Sequence, residues 1–392
     1  MSEIKVNSIK GVAASSAAIT VNNTDGTCTA NLSNRQNKNL IINGDFKIAQ
    51  RSTSSSTTGY ATVDRWKTDR SGLDESPTFS QADVTSGTTP YTNGFRKAFK
   101  ITNGNQTSGA GSDDYLYFFQ KIEAQDIAQS GWNYTSSSSY VTLSFWVKSS
   151  VAQNFYGYLR SMDGTSKIYP FETGALSQDT WTKVTKTISG ASGNQIDNDN
   201  GEGLRVVIAP FWGTNLTASS VNLNQWATFA SSTRAPDYTS TWYTTNDATF
   251  EITGVQLEVG SVATDFEHRS FAQEFQLCKR YYQQYPENPH SDNYVPVPSA
   301  VCVCNNSTLA YYTPSLFPNM RASPSFSLSG NFRVNGTSGV NNIAVTAIGV
   351  YHNGSQSIFQ YINVASGFTA GDCVVLSINN DASAYLAYSA EL

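Results

Sequence analysis

Charge is scarce in this chain. Lysine, arginine, aspartate and glutamate make up 14% of its 392 residues, against about a quarter in ordinary globular domains. No basic block stands out, so no nucleic-acid partner is expected. No apolar run approaches the roughly 20 residues of a membrane-crossing helix, so no membrane span is expected. Histidine is nearly missing: His268, His290 and His352 are the three. None adjoins a Gly-x-Ser-x-Gly turn, which leaves a nucleophile without its usual base. His268 follows Glu267 in FEHRSF and reads as a packing or hydrogen-bonding residue. The cysteines, Cys28, Cys278, Cys302, Cys304 and Cys373, are odd in number and form no CxxC. That argues against a disulfide framework and a zinc site. Cys302 and Cys304 alternate on an expected strand, share a face and read as buried thiols. The N-terminus carries Glu3 and no continuous apolar stretch. No signal peptide is expected, and the protein should be made in the cytoplasm and not exported by the usual route.

What the chain has instead is Ser, Thr, Asn, Gln and Gly for its polar surface, and aromatics at 12%, with 21 Tyr and 7 Trp. This composition suits a rigid β-rich particle better than a helical enzyme. Residues 1–38 are small and polar, with scattered apolar positions from Ile4 to Val21. Alone they bury too little apolar area to order themselves, and would order against copies of themselves or a partner. A short strand is expected at 18–22 and a turn at 24–27. Residues 39–268 read as one jelly-roll-like β-sandwich. Its strands are expected at 40–42, 95–102, 115–119, 141–148, 155–159, 182–189, 204–210 and 250–259, with one helix at 122–129. Turn residues separate them. Residues 286–392 read as a C-terminal β-sandwich domain, with strands at 301–303, 308–312, 325–329, 343–350, 358–363, 374–378 and 385–389. Asn353-Gly354 signals a hairpin there. The fold class is therefore all-β. No heptad, collagen-like or β-helix repeat is present.

The segment 254–285, GVQLEVGSVATDFEHRSFAQEFQLCKRYYQQY, joins the two blocks. Val255, Leu257 and Val259 alternate as on a half-buried strand. Phe271, Phe275, Cys278 and Tyr282 fall at helical spacing, which predicts a short linking helix over 269–285. Ser270 stands where an N-cap would, with Glu274 in the first turn.

That segment closely resembles the linker of bacteriophage tail fibres and related tail proteins, especially marine ones. Three further segments carry the same resemblance. They are 39–51, NLIINGDFKIAQR, with Asp64-Arg65-Trp66; 141–148, VTLSFWVK, with Trp181; and 317–329, FPNMRASPSFSLS, with the ending 384–392. Together they span most of the chain beyond Asn39. The resemblance implies a structural, host-facing virion protein, a tail fibre made in the host cytoplasm and released by lysis. It implies a homotrimer, attachment to other tail proteins through the N-terminus, and a sandwich similar to a carbohydrate-binding module. Modules that begin Asn-Gly-x-Phe, as Asn43-Gly44-Asp45-Phe46 do, often hold calcium against an Asp-containing last strand. Here 252–258 lacks those acids. The reading is therefore of no cofactor, with a structural calcium as the alternative.

Sugar binding needs exposed aromatic faces beside hydrogen-bonding groups. Trp212, Trp226 and Trp242 lie in polar surroundings, APFWGTN, NLNQWAT and TSTWYTTND, and Tyr243 adjoins the last. These four are the glycan-binding candidates, with subunit packing as the competing role. Trp66, Trp146 and Trp181 sit in apolar contexts and read as core. The arm at 265–271 places Phe266 and Phe271 around His268 and Arg269, and reads as an inter-domain or subunit contact. Gly109-Ala110-Gly111-Ser112 lacks the lysine of a phosphate loop. The stretch 196–203, IDNDNGEG, imitates a calcium loop with misplaced ligands and reads as a solvated turn. The expected function is host-glycan attachment without catalysis. The alternatives are a structural tail adaptor that binds no glycan and, less favoured, a short polysaccharide depolymerase.

Overall fold

The computed structural model describes residues 8–10, 12, 19–21, 28–30, 37–286, 294–336 and 342–392. The turn expected at 24–27 and His290 lie outside the described residues. The strand expected at 18–22 is Ile19–Val21, the centre of a three-stranded antiparallel sheet with Ser8–Ile9 and Cys28–Ala30.

Two six-stranded antiparallel sheets form the sandwich. One runs Ala227–Thr228, Lys167–Ala175, Asn154–Ser161, Glu202–Trp212, Tyr115–Glu123, Lys67–Ser71; the other runs Thr182–Ser189, Tyr140–Ser149, Thr249–Val259, Lys97–Thr102, Thr78–Asp83, Ser54–Ser55. Period-2 alternation builds the space between them. Val141, Leu143, Phe145 and Val147 point inward from one sheet and meet Phe118, Phe155, Phe171 and Ile208 from the other. Burying each such side chain contributes roughly 1.5–3 kcal/mol. The strand expected at 40–42 does not form. Asn39 turns its side chain back to accept from Ile41 N at 3.0 Å and from Leu257 N at 3.0 Å. An Asx turn thus replaces the ladder. The helix expected at 122–129 shrinks to Ala124–Ala128, because Ile122 and Glu123 remain in the strand Tyr115–Glu123.

The linking helix is Phe271–Lys279, capped reciprocally by Ser270 and Gln273. It is shorter than the expected 269–285. Tyr282–Tyr285 form a strand instead, because the backbone there pairs with Tyr385–Ser389. The last strand also pairs with Ser325–Ser329, completing a three-stranded sheet.

The remaining C-terminal strands correct the expectation of a second sandwich: they close into a barrel, in the order Pro296–Cys304, Leu309–Tyr312, Ile358–Val364, Ile343–Asn353, Phe332–Gly336, Cys373–Ile378. Closure follows because Pro296–Cys304 pairs with both Leu309–Tyr312 and Cys373–Ile378, leaving no free edge. Cys302 and Cys304 are both buried inside with Tyr312, Ile362 and Leu376. Burial pushes the Cys302 thiol up to about 12, so it behaves as a small apolar side chain. The Asn353-Gly354 hairpin is present, but Asn353 faces Ile358, so 354–357 make the turn.

Candidate functional site

Three of the four candidate aromatics are corrected by their burial: Trp212 is 1% exposed, and Trp242 and Tyr243 are 0%. Residues 213–239 fold back over the outer face of the sheet that carries Trp212. Tyr238 accepts from Tyr156 N at 2.9 Å and donates to Ala209 O at 2.8 Å, and the Trp212 ring stacks on Tyr158 at 5.4 Å. Trp242 donates its indole N–H to Thr249 O at 3.0 Å. Tyr243 stacks on Phe211 at 4.2 Å and donates to Asp114 Oδ2 at 3.0 Å. Their polar sequence neighbours face solvent while the rings themselves fill the core.

Trp226 differs. It is half-buried, edge-on to Tyr169 at 5.5 Å, with its N–H donated to Ser189 O at 2.7 Å. It lines an open depression of about 430 Å³ with Thr135, Ser137, Asn224 and Gln225. The Asn224 and Gln225 side chains are exposed. An indole beside amide and hydroxyl groups can stack on a sugar ring and hydrogen-bond its hydroxyls.

The arm packs against its own sandwich. Phe266 meets Phe95 at 4.9 Å, and His268 Nε2 shares a hydrogen bond with Asn93 O at 2.8 Å. Arg269 donates to Asn39 O and to Ile41 O, and pairs with Glu267 at 3.2 Å and Glu274 at 3.4 Å. Glu267 also accepts from Asn37 N and Asn39 N, so the chain entering the sandwich is held there. Phe271 is exposed and stacks on Phe275 at 5.8 Å.

The Asn43-Gly44-Asp45-Phe46 turn is committed to the fold. Asn43 Nδ2 donates to Ile48 O and Asp64 O, and its backbone N donates to Glu274 Oε1 at 2.6 Å. A Cβ on Gly44 would lie 2.1 Å from Val255 O, so glycine is required. Asp45 pairs with Lys47 at 2.8 Å. In the 196–203 turn the Asp199 carboxylate accepts from Gly201 N. Among the described residues no group of three or more His, Cys, Asp or Glu side chains is placed to hold a metal.

Sequence reasoning missed a buried polar junction between sandwich and barrel. Arg65 is enclosed. It donates to Glu391 and to Lys121 O at 2.7 Å, and lies 3.3 Å over the Tyr281 ring. Arg51 reaches Glu391 at 3.3 Å and lies 3.6 Å over Tyr282. Arg280 forks onto Glu123 at 2.7 and 2.8 Å, and Tyr281 O–H donates to the same carboxylate. Arg321 and Asn200 exchange backbone and side-chain bonds at 2.6 and 2.7 Å. The available signal was Arg65 between Asp64 and Trp66, and Glu391 as the last charge in the chain.

Burial pushes the Glu123 carboxyl up, but the bonds from Arg280 and Tyr281 outweigh it and hold the acid below its ordinary 4.5. A depressed acid contributes stability that is present above its unfolded pKa and lost as pH falls through the folded one. Glu123→Gln should therefore be less stable than the parent near about pH 7, with the gap narrowing below 4.5. Urea midpoints measured across that range check it; a gap that stays constant would contradict it.

No protein-family model matches this chain, and no curated protein sequence matches it. Among solved structures, the enzymatically active domain of tailspike protein 4 from bacteriophage CBA120 is 11% identical over 57% of this chain and 21% of its own, with a TM-score of 0.30. The chain thus spans about a fifth of that tailspike chain. The N-terminal cellulose-binding domain of β-1,4-glucanase C from Cellulomonas fimi is 10% identical over 55% of this chain and 98% of its own, TM-score 0.26. The family 11 carbohydrate-binding module from Clostridium thermocellum, in complex with a β-1,3-1,4-mixed-linked tetrasaccharide, is 11% identical over 54% and 96%, TM-score 0.25. Likeness at this level is too coarse to carry function. The class is defined by the strands themselves: an all-β protein, a two-sheet antiparallel sandwich clasped to a closed barrel. No helix among the described residues is long and apolar enough to cross a membrane.

Proposed function

We propose that this chain is a non-enzymatic structural protein of a bacteriophage tail, a fibre protein that attaches the particle to host-surface glycan. In this reading it is made in the host cytoplasm and works in the virion. It assembles as a homotrimer, and residues 1–38 join it to other tail proteins. The observation that carries attachment is the Trp226 depression, where an indole stands beside exposed amides and hydroxyls. The junction supports the structural half. Parts of three segments that carry the resemblance to tail proteins, 39–51 with 64–66, the linker-like 254–285, and the ending 384–392, meet there in one buried set of bonds. Three such depressions on one rigid assembly add weak contacts into avid binding.

Trp226→Ala should weaken binding of the purified protein to intact host cells and their extracted polysaccharide about tenfold, equivalent to ~1.4 kcal/mol. The thermal midpoint should move less than for removal of a fully buried ring, since the loss is a half-buried indole and its bond to Ser189 O. Unchanged binding would remove the depression from the reading, and a parent protein that binds neither cells nor polysaccharide would remove attachment. The burial of Trp212, Trp242 and Tyr243 favours a second reading, a structural adaptor joining the tail to separate fibres. That outcome selects it.

A further inference from the structure

Over residues 301–304 the barrel strand Pro296–Cys304 is apolar on both faces. Cys302 and Cys304 point inward, while Val301 and Val303 point outward, 61% and 50% exposed. Antiparallel sheets commonly alternate apolar-in with polar-out, so an outward apolar face departs from that pattern. The register carries the outward face onto neighbouring strands. Val375 lies opposite Val301, Cys373 opposite Val303 and, on the other side, Tyr311 opposite Val303. Tyr311 faces Tyr361, whose ring covers Gly349. Beside them Tyr351 stacks on Phe359 at 5.6 Å. The row crosses five of the barrel's six strands.

Two properties select the occupant. Residues 294–316, 343–364 and 373–378 contain no lysine, arginine, aspartate or glutamate, in a chain of net charge −5. Copies of an acidic chain repel where their carboxylates meet, and this band brings none together. The band also has two chemically different halves: valines on one side, and the rings of Tyr311, Tyr351 and Phe359 on the other. A cyclic assembly uses this pairing, because each copy presents one surface to the copy ahead and another to the copy behind. Exposed apolar patches of this kind mark protein contacts.

We propose that this band is the face through which the barrels of neighbouring copies of this chain pack, valine half against aromatic half. The inference rests on the homo-oligomer part of the proposed function. Cys373 lies in the valine half and is exposed in the single chain, so it reports on the contact. Full-length protein is treated with a maleimide at several protein concentrations. Modified cysteines are identified by peptide mass, and assembly size is measured by light scattering.

Cys373 should react at least tenfold more slowly in the concentrated parent protein than in the Val301→Glu/Val303→Glu variant, with protection lost on dilution. Val303→Thr keeps the branched strand shape and should give an intermediate rate with an unchanged melt, which guards against misfolding of the charged variant. A multimeric parent whose Cys373 reacts at the variant's rate overturns the band as the contact and leaves the oligomer standing. A parent of 42.6 kDa at every concentration overturns both. Protection that appears only when host polysaccharide is added, independent of protein concentration, assigns the band to glycan and overturns the inference.

Discussion

Replacing Glu391 with alanine should destabilise the protein by about 3–5 kcal/mol. The arginine it leaves behind is the reason. Arg65 is 1% exposed and has its side chain against Glu391, Lys121 O and the Tyr281 ring. Without Glu391 a guanidinium remains buried with no carboxylate among the described residues bonded to it, and Arg51 loses its carboxylate too. The cost comes from the stranded charge, more than from the lost attraction. A double substitution separates the two. Arg65→Met with Glu391→Leu removes both charges and keeps volume, and should recover most of the loss. Urea unfolding followed by tryptophan fluorescence measures all three proteins. A loss under about 1 kcal/mol for Glu391→Ala would mean that water reaches Arg65, since exposed pairs contribute no more than that.

The second large effect separates tryptophans that sequence context makes look alike. Trp242→Ala should cost about 3–5 kcal/mol, the range for removing a large buried aromatic. Its ring meets Phe155 edge-on at 6.3 Å, within a core that also holds Phe250 and Ile252. Its indole N–H is bonded to Thr249 O, so truncation also leaves a buried carbonyl without its donor. Binding to host polysaccharide should be unchanged per folded molecule. Trp226→Ala should show the opposite pattern. If Trp242→Ala weakened binding with little effect on stability, the core assignment of this ring would be wrong.

The strands at 182–189, 325–329 and 385–389 coincide with those read from the sequence: Val184 and Ile188 fall on one face of the first, serines alternate with Phe326 and Leu328 in the second, and the third is a short apolar run with Leu386, Ala387 and Tyr388 all buried. Lys67–Ser71 and Thr78–Asp83 escaped notice. Each has one fully buried position, Thr68 and Phe79, so the period-2 signal is one residue deep. Lys167–Ala175 escaped because Pro170 falls inside it, and proline argues against a strand. Barrel closure depends on Val303 meeting both Tyr311 and Cys373, and no local pattern records the second pairing. The junction is the same problem at longer range: Arg65 and Glu391 lie 326 positions apart. Trp212, Trp242 and Tyr243 were misplaced for a different reason. Polarity of neighbours predicts where a segment runs, but a ring in a polar segment can point back into the core. Trp242 does so from the single turn Thr241–Thr244, and Trp212 from beneath a returning loop.

The chain passes from sandwich to barrel along Tyr282–Tyr285 and returns along Tyr385–Ser389, and these two strands are hydrogen-bonded to each other, Tyr285 opposite Leu386. Everything between 286 and 384 therefore departs and arrives one strand spacing apart, about 4.8 Å. Such a unit is a cassette. A different fold with closely spaced ends can be inserted with Arg65, Glu391 and the helix cap in place, if it supplies a third strand for Ser325–Ser329 and a donor in place of Arg321, which bonds Asn200 O and Ala390 O. The unit carried between these two strands can thus be exchanged while the sandwich, the helix and the Arg65–Glu391 pair stay as they are.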